Sequence, residues 1–215
     1  MAWPETIQSA DLIPATGCAL AAYTLGCFAT GYYLVRARTG RDIRLLGSGS
    51  IGARNVGREL GPVGFLITLL GDFTKGALAV MAARHFSSND VFAAIAVLFV
   101  VAGHIWPLPL KWRGGKGVAT SLGALVVFDF QLALIYGALF LVGLIAVRRF
   151  TLAGLAAYLI LPAISYVWHR VHYEATALAI LGAVICFAHR QNVMTELPAL
   201  GDRRGLSPKP HHPKP

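Results

Sequence analysis

The sequence predicts an all-α polytopic membrane protein of seven transmembrane helices, with its N-terminus outside and its C-terminus cytoplasmic. Three observations lead there. The 215 residues are 56% hydrophobic and only 13% charged, whereas a soluble domain carries roughly 25% charged residues. The apolar residues fall in long blocks rather than amphipathic stripes, on the scale of the roughly 17–25 residues that a spanning helix needs. Arginine and lysine crowd into alternate connecting segments, as the positive-inside rule requires of one membrane face.

The blocks, in order, are 12–35, 63–83, 91–110, 118–128, 131–147, 151–168 and 175–188. Residues 1–11 hold Glu5 and Asp11 and no lysine or arginine. A secretory signal opens on a basic region, so the first block reads as a retained span. The fourth and seventh blocks are short, and 118–147 reads either as one long tilted helix or as two. Charge decides between them. With seven spans, one face collects Arg36, Arg38, Arg41, Arg44, Arg54 and Arg58, then Lys111, Arg113 and Lys116, then Arg148 and Arg149. It also collects Arg190, Arg203, Arg204, Lys209 and Lys214. Only Arg84 and Arg170 fall on the other face, and Lys75 lies within a span. Six spans would strand Arg148 and Arg149 opposite the other clusters. Asp129 then marks a tight outer turn.

One seven-helix domain over residues 1–200 is therefore expected, followed by a proline-rich, disordered cytoplasmic tail over 201–215. Cys18, Cys27 and Cys186 all sit in apolar blocks without ligand spacing, which suggests neither a disulfide framework nor a metal. The net charge of +9 is explained by the loop bias and is also compatible with a phosphate ester as partner; nothing points to nucleic acid.

Several segments carry chemistry. In GSGSIGARN (47–55), followed by Arg58, the glycines Gly47, Gly49 and Gly52 let backbone amides converge on an anion. Ser48, Ser50 and Asn55 add polar groups, and Arg54 or Arg58 offers a forked contact to phosphate. A dinucleotide fingerprint would need a preceding strand, and here a membrane helix precedes it. A flexible loop with topogenic arginines explains the same residues. WRGGKGVAT (112–120) lacks P-loop spacing, but Gly114, Gly115, Lys116 and Gly117 open directly into a helix that carries Thr120. Orphan amides and the helix dipole favour an anion there.

Asp72 and Lys75 share a helix face inside the second span. Each charge is expensive at the bilayer centre, so the pair is either a tie between helices or part of a site. His104 precedes the Trp106-Pro107 step that ends the third span, and either satisfies a backbone carbonyl or faces the site. His189 follows the last span. It titrates near neutral pH and can take a proton from an attacking hydroxyl, with Asn192 to orient it or to donate to an oxyanion. A solvated helix end is the alternative. No serine lies in a GxSxG elbow, so an acyl-serine intermediate has no support.

Together these segments resemble the bacterial acyl-phosphate:glycerol-3-phosphate acyltransferase family. GSGSIGARN with Arg58 is similar to its first motif, DFTKG and GHIWPLPLKWRGGKGVAT to its second region, and AHRQNV to its third. The resemblance runs in order from about residue 25 to 192. It implies seven transmembrane helices with the motifs on the cytoplasmic face of a bacterial inner membrane, crossed many times. It implies acyl transfer from acyl-phosphate to the sn-1 hydroxyl of glycerol 3-phosphate, giving lysophosphatidic acid for phospholipid synthesis. No metal or cofactor is expected, and the protein is expected as a monomer, with a dimer as the alternative.

Carried over by position, Ser48, Arg58, His189 and Asn192 are the catalytic candidates. Gly47, Gly49, Gly52, Asn55, Lys75, His104, Gly114, Gly115, Lys116, Gly117, Thr120, Arg148 and Thr151 are the substrate-binding candidates. Ser50 and Arg54 depart from the family's usual asparagine and threonine. Two rival readings remain: an anion or phosphate-ester transporter, and a family relative with another acceptor or no activity. A transporter usually places its site at the midplane between inverted repeats, and no such repeat is present.

Overall fold

The computed structural model describes residues 11–198; the tail expected at 201–215 lies outside them. Among the described residues there is no strand. The helices are α1 (Leu12–Gly26), α2 (Thr30–Thr39), α3 (Ala53–Phe86), α4 (Asp90–Ile105) and α5 (Val118–Phe128), then α6 (Phe130–Val147), α7 (Phe150–His169), α8 (His172–Ala188) and α9 (Arg190–Glu196). Short 3₁₀ turns at Ile43–Leu45 and Leu108–Leu110 precede the two glycine-rich loops.

Five stretches are long and apolar enough to cross a bilayer: Leu12–Thr39, Ala53–Phe86, Asp90–Leu110, Phe130–Val147 and Phe150–His169. α8 and α9, bent by 66°, make a sixth if they count as one span. α5 has 11 residues, about 16 Å at 1.5 Å per residue, against a hydrocarbon core of roughly 30 Å. Large apolar side chains such as Leu66, Leu70, Met81, Leu134, Leu141, Val142, Ile145 and Ile160 face outward. Bilayer lipid is the solvent in which that surface is stable.

The break between α5 and α6 resolves the stretch 118–147 into two helices. Asp129 is extended (φ −156°, ψ 108°), and its Oδ1 accepts from the Leu132 amide at 2.8 Å, capping α6. A carboxylate at a helix N-terminus is favourable both as a cap and by the dipole. Two other expectations are corrected. The first span, expected to run unbroken over 12–35, is interrupted at residues 27–29. The inner segment 36–62, expected as a linker, already begins α3 at Ala53, and Gly61 (φ 72°, ψ −168°) before Pro62 breaks that helix. Proline lacks the N–H and disfavours helical geometry in the residue before it.

α4 is the centre of the bundle, with Ala93, Ala96, Val97, Val100 and Val101 buried. Its neighbours come close because glycines let backbones meet. A Cβ on Gly26 would overlap the Val100 carbonyl, and one on Gly103 the Tyr23 carbonyl. α3 and α5 meet the same way: a Cβ on Gly76 would overlap the Thr120 carbonyl, and one on Gly123 the Phe73 carbonyl. Small residues at the interface are how helices associate where lipid removes the hydrophobic drive.

The interruption of the first span leaves the Phe28 carbonyl without a helical partner. Lys75 Nζ donates to it at 2.7 Å while lying 3.0 Å from Asp72 Oδ1. The Asp72–Lys75 pair is thus a tie between α3 and the α1–α2 break. At the far end of α7, His169 Nδ1 lies 2.9 Å from Glu174 Oε1 and 3.8 Å from Asp129 Oδ2, joining three helix ends. Ser165 also donates to Glu174.

Overpacking a tight backbone contact costs roughly 1–3 kcal/mol. Gly76→Ala is therefore expected to lower the detergent-solubilised Tm. Gly137→Ala, where a Cβ meets open space, should leave it unchanged or raised. Equal effects of both would mean that α3 and α5 are not in contact at Gly76.

Candidate active site

A cavity of about 460 Å³ opens between the 47–52 loop, α3, α5, α6, α7 and the α8–α9 bend. It has a polar end and an apolar end. The polar end begins at the first glycine-rich loop, which Asn55 holds in shape. Asn55 is buried; its Oδ1 accepts from the Ser48 amide at 2.9 Å, and its Nδ2 donates to the carbonyls of Leu46 and Ser50, each at 2.9 Å. Asn55 lines the cavity, and its side-chain amide is engaged in holding the loop. Gly47 (φ 53°) and Gly49 (φ 70°) sit outside the lining, and their letters answer to the turn. A Cβ on Gly47 would overlap Asn55 Oδ1, and the Gly49 amide already donates to Leu46 O at 2.9 Å.

The loop delivers Ser48, Ser50 and Gly52 to the cavity, where α3 starts. Gly52 is its N-cap, so the first-turn amides around Ala53 and Arg54 have no carbonyl four residues back. Arg54 and Arg58, one turn apart, both line the cavity.

α5 presents a second N-terminus. Gly117 (φ 82°) is its N-cap and receives no side-chain cap, and the first closing bond is Ser121 N–H to Gly117 O at 2.8 Å. The amides of Gly117, Val118 and Ala119 are left open at the cavity wall. Gly114 and Gly115 do not supply donors as expected. Their amides donate at 3.1 Å to Ile105 O and His104 O, closing the end of α4. A Cβ on Gly115 would overlap the His104 ring. These glycines are there for close packing against α4.

Lys116 lies half-buried beside the same N-terminus and donates to Asn192 Oδ1. Burial pushes its ammonium below the ordinary lysine range, with Arg54 pushing the same way; Glu196 opposes and Arg58 adds to the depression. Asn192 therefore orients Lys116, and does not hold His189 as one expectation had it. His189 is held by its own helix: Nδ1 lies 2.9 Å from Ile185 O. A carbonyl only accepts, so that contact assigns the proton to Nδ1 and leaves Nε2 with a lone pair. His189 lines the cavity and is 7% exposed.

His104 also lines the cavity, with Nδ1 3.6 Å from Asp72 Oδ1. Its ring faces a carboxylate and takes no backbone carbonyl as partner among the described residues. Thr151 reaches the cavity from the first turn of α7. Besides Gly47, Gly49, Gly114 and Gly115, three further candidates do not line it. Lys75 is held by Asp72 and Phe28. Thr120 is fully buried against Gly76 of α3. Arg148 is exposed at the left-handed C-cap of α6 (φ 54°).

The apolar end is built from Phe65 and Leu69 of α3, Leu122 of α5, Phe140 of α6 and Leu155 of α7. Tyr136 and Tyr158 meet at 4.4 Å between centroids with their rings tilted by 45°, and Ser121 Oγ lies 2.5 Å from Tyr158 OH. None of this slot was visible as a motif, because the residues come from four helices and look like ordinary span residues. The open amides of Val118 and Ala119 carry no side-chain signature; only the loop-to-helix boundary could have indicated them. The one group of His and carboxylate atoms close enough to hold a metal among the described residues, Asp129, His169 and Glu174, lies at the opposite end of α7, away from the cavity.

The family model described as glycerol-3-phosphate acyltransferase matches residues 16–197. A glycerol-3-phosphate acyltransferase 1 of Desulfitobacterium hafniense (strain Y51) is 46% identical over 185 residues, 86% of this chain and 92% of the relative. A glycerol-3-phosphate acyltransferase of Geotalea daltonii is 37% identical over 174 residues, 81% of this chain and 89% of the relative. The fold superposes on the crystal structure of PlsY (YgiH), an integral membrane glycerol 3-phosphate acyltransferase, in its glycerol 3-phosphate form. The TM-score is 0.78 at 29% identity, covering 87% of this chain and 94% of that one. For the lysophosphatidic acid form the TM-score is 0.75 at 27% identity, over 87% and 93%. By sequence and by fold, this chain belongs to the glycerol-3-phosphate acyltransferase family.

Proposed function

We propose that this protein is a membrane acyltransferase that moves an acyl group from acyl-phosphate to the sn-1 hydroxyl of glycerol 3-phosphate, giving lysophosphatidic acid and inorganic phosphate. The observation that carries this is one cavity joining two helix N-termini, three cations and an apolar slot. Two anion sites suit two phosphorylated substrates, and the slot suits one acyl chain. The α5 N-terminus, with Lys116, takes the phosphate of glycerol 3-phosphate. The α3 N-terminus, with Ser48 and Arg58, takes the donor phosphate, and Thr151 adds a hydroxyl to the same cavity. Each hydrogen bond to a charged group is worth roughly 1.5–3 kcal/mol.

In the reaction the hydroxyl oxygen attacks the acyl carbonyl and His189 Nε2 takes its proton. The bond from the acyl carbon to the phosphate oxygen then breaks, and phosphate departs against the α3 amides and Arg58. Phosphate is a good leaving group, and bound reactants react as an intramolecular pair. The chain is read as a single seven-helix domain over residues 1–200 in a bacterial inner membrane, with α5 as a short seventh span. The N-terminus is read as outside, the cavity as opening to the cytoplasm, and the protein as a monomer.

Purified protein with acyl-phosphate and radiolabelled glycerol 3-phosphate should form lysophosphatidate. Ser48→Ala should abolish it, and His189→Ala should lower kcat by about 10²–10⁴, the usual contribution of a positioned base. Loss of less than about tenfold in His189→Ala would move the proton to the substrate's own phosphate. Uptake into vesicles without any ester would replace the enzyme by a transporter.

The lowered Lys116 pKa sets a pH dependence. The charged form binds phosphate, so kcat/KM for glycerol 3-phosphate should fall as pH rises, on a limb below the ordinary lysine range. Lys116→Arg, which keeps its charge, should remove that limb. An unchanged limb would assign it to another group.

Cysteines placed at Arg113 and Arg190 in a cysteine-free background should react with impermeant maleimide from the same, cytoplasmic side. Labelling from opposite sides would leave no shared cavity.

A further inference from the structure

We propose that Arg54 is a donor-selecting residue, which binds the phosphate of the acyl-phosphate and leaves glycerol 3-phosphate to other groups. The inference rests on the acyltransferase reading and adds to it a residue with a defined substrate. Arg54 stands at the second position of α3, where the dipole already concentrates positive charge. A cation there is unfavourable by its local position. Arg58 is one turn away, and Lys116 shares the cavity. Among the described residues Arg54 has no carboxylate partner; Glu196 lines the cavity without pairing with it. Three cations and a helix N-terminus outweigh Glu196 and an Asp72 already paired with Lys75, so the site carries an excess of positive charge whose repulsion an anionic ligand relieves.

The orientation of the side chain decides which anion. The Arg54 guanidinium carbon lies 5.3 Å from the centre of the Phe150 ring. Phe150 in turn meets Phe140 edge-on at 5.0 Å between centroids, and both rings line the cavity beside the apolar slot. A guanidinium laid over an aromatic ring keeps its fork of N–H donors free at its edges. This contact places Arg54 at the boundary between the slot and the polar end. The phosphate found at that boundary is the one joined to an acyl chain. Glycerol 3-phosphate has no chain to place in the slot, and the α5 N-terminus with Lys116 receives it.

The test separates the two substrates. Dodecyl phosphate serves as a non-reactive probe of the donor site, and its stabilisation of the detergent-solubilised protein is compared with that by glycerol 3-phosphate. In Arg54→Gln the apparent Kd for dodecyl phosphate should rise roughly tenfold or more, the loss expected for a charge-assisted hydrogen bond. The Kd for glycerol 3-phosphate should stay within about twofold. Turnover should show the same split, with the KM for acyl-phosphate raised and kcat at saturation retained. Arg54→Lys should recover part of the affinity, since it restores charge without the fork. Phe150→Leu should weaken dodecyl phosphate alone. Equal loss for both ligands, or no loss for dodecyl phosphate, would overturn the assignment. Because the probe binds without reacting, this result stands apart from the acyltransferase assay. A wild-type protein that binds dodecyl phosphate through Arg54 and makes no ester would sink the proposed reaction and keep the donor site.

Discussion

The bundle depends on one buried charge pair. Lys75 and Asp72, on adjoining turns of α3, sit where hydrocarbon surrounds the fold and where an unpaired charge is costly. Lys75 is matched on one side by Asp72 and on the other by the Phe28 carbonyl, freed where the first span breaks. In a membrane an open carbonyl must find a partner within the protein. The break between α1 and α2 is thus permissible only because α3 carries a lysine at this level. Asp72 then faces His104, and the end of α4 that holds His104 accepts the amides of Gly114 and Gly115. A continuous path runs from a broken helix, through the ion pair, to the loop that begins α5. Removing one partner of such a pair is far more damaging than its net contribution suggests, because the other charge is left behind.

Much of the architecture was legible because spans announce themselves by composition. The helix start at Val118, the break at Asp129 and the i, i+3 pairing of Asp72 with Lys75 follow from local sequence, whereas the start of α3 at Ala53 lies in a polar, arginine-bearing stretch that composition assigns to a linker. The contents of the cavity were harder to read. Gly114 and Gly115 sit in a phosphate-loop-like string, yet their amides close α4. A glycine looks the same in sequence whether its missing Cβ makes room for a phosphate or for an imidazole. Asn55 and Asn192 were legible as polar groups near the site, but not as partners of Ser48 and Lys116. Those partners lie 7 and 76 residues away in the chain, and no periodicity reports a contact at such separation. Thr120 fell on the α3 side of its helix, a matter of rotation that a helix of 11 residues does not specify by its own pattern. Arg148, two residues before α7, was turned outward by its left-handed backbone.

The cavity's division explains how an amphiphile can be oriented without a specific pocket for each atom. Apolar side chains from α3, α5, α6 and α7 form one wall, and the open amides form the other. A chain longer than the slot is free to extend between helices into lipid, since the outer faces of α6 and α7 are themselves apolar and exposed. The phosphate stays at the polar end because desolvation there is offset by amides that are already in place. Orientation of the reactive carbonyl is then set by the two ends together.

The proposed reaction also requires two phosphate esters to sit side by side, and electrostatics opposes this. Two unit charges 6 Å apart repel by about 3 kcal/mol at an effective dielectric of 20, and each phosphate carries more than one charge. The repulsion exceeds what any single hydrogen bond returns. A cavity with one cation could hold one substrate and would reject the second. Arg54, Arg58 and Lys116, with two helix N-termini, supply the compensation before either ligand arrives, since the backbone dipoles are fixed by the fold. The same field acts on the products, which are again a phosphate ester and a phosphate. It therefore favours bringing the charges together without driving the transfer in either direction. That drive belongs to the acyl-phosphate bond, whose cleavage releases phosphate in exchange for an ester.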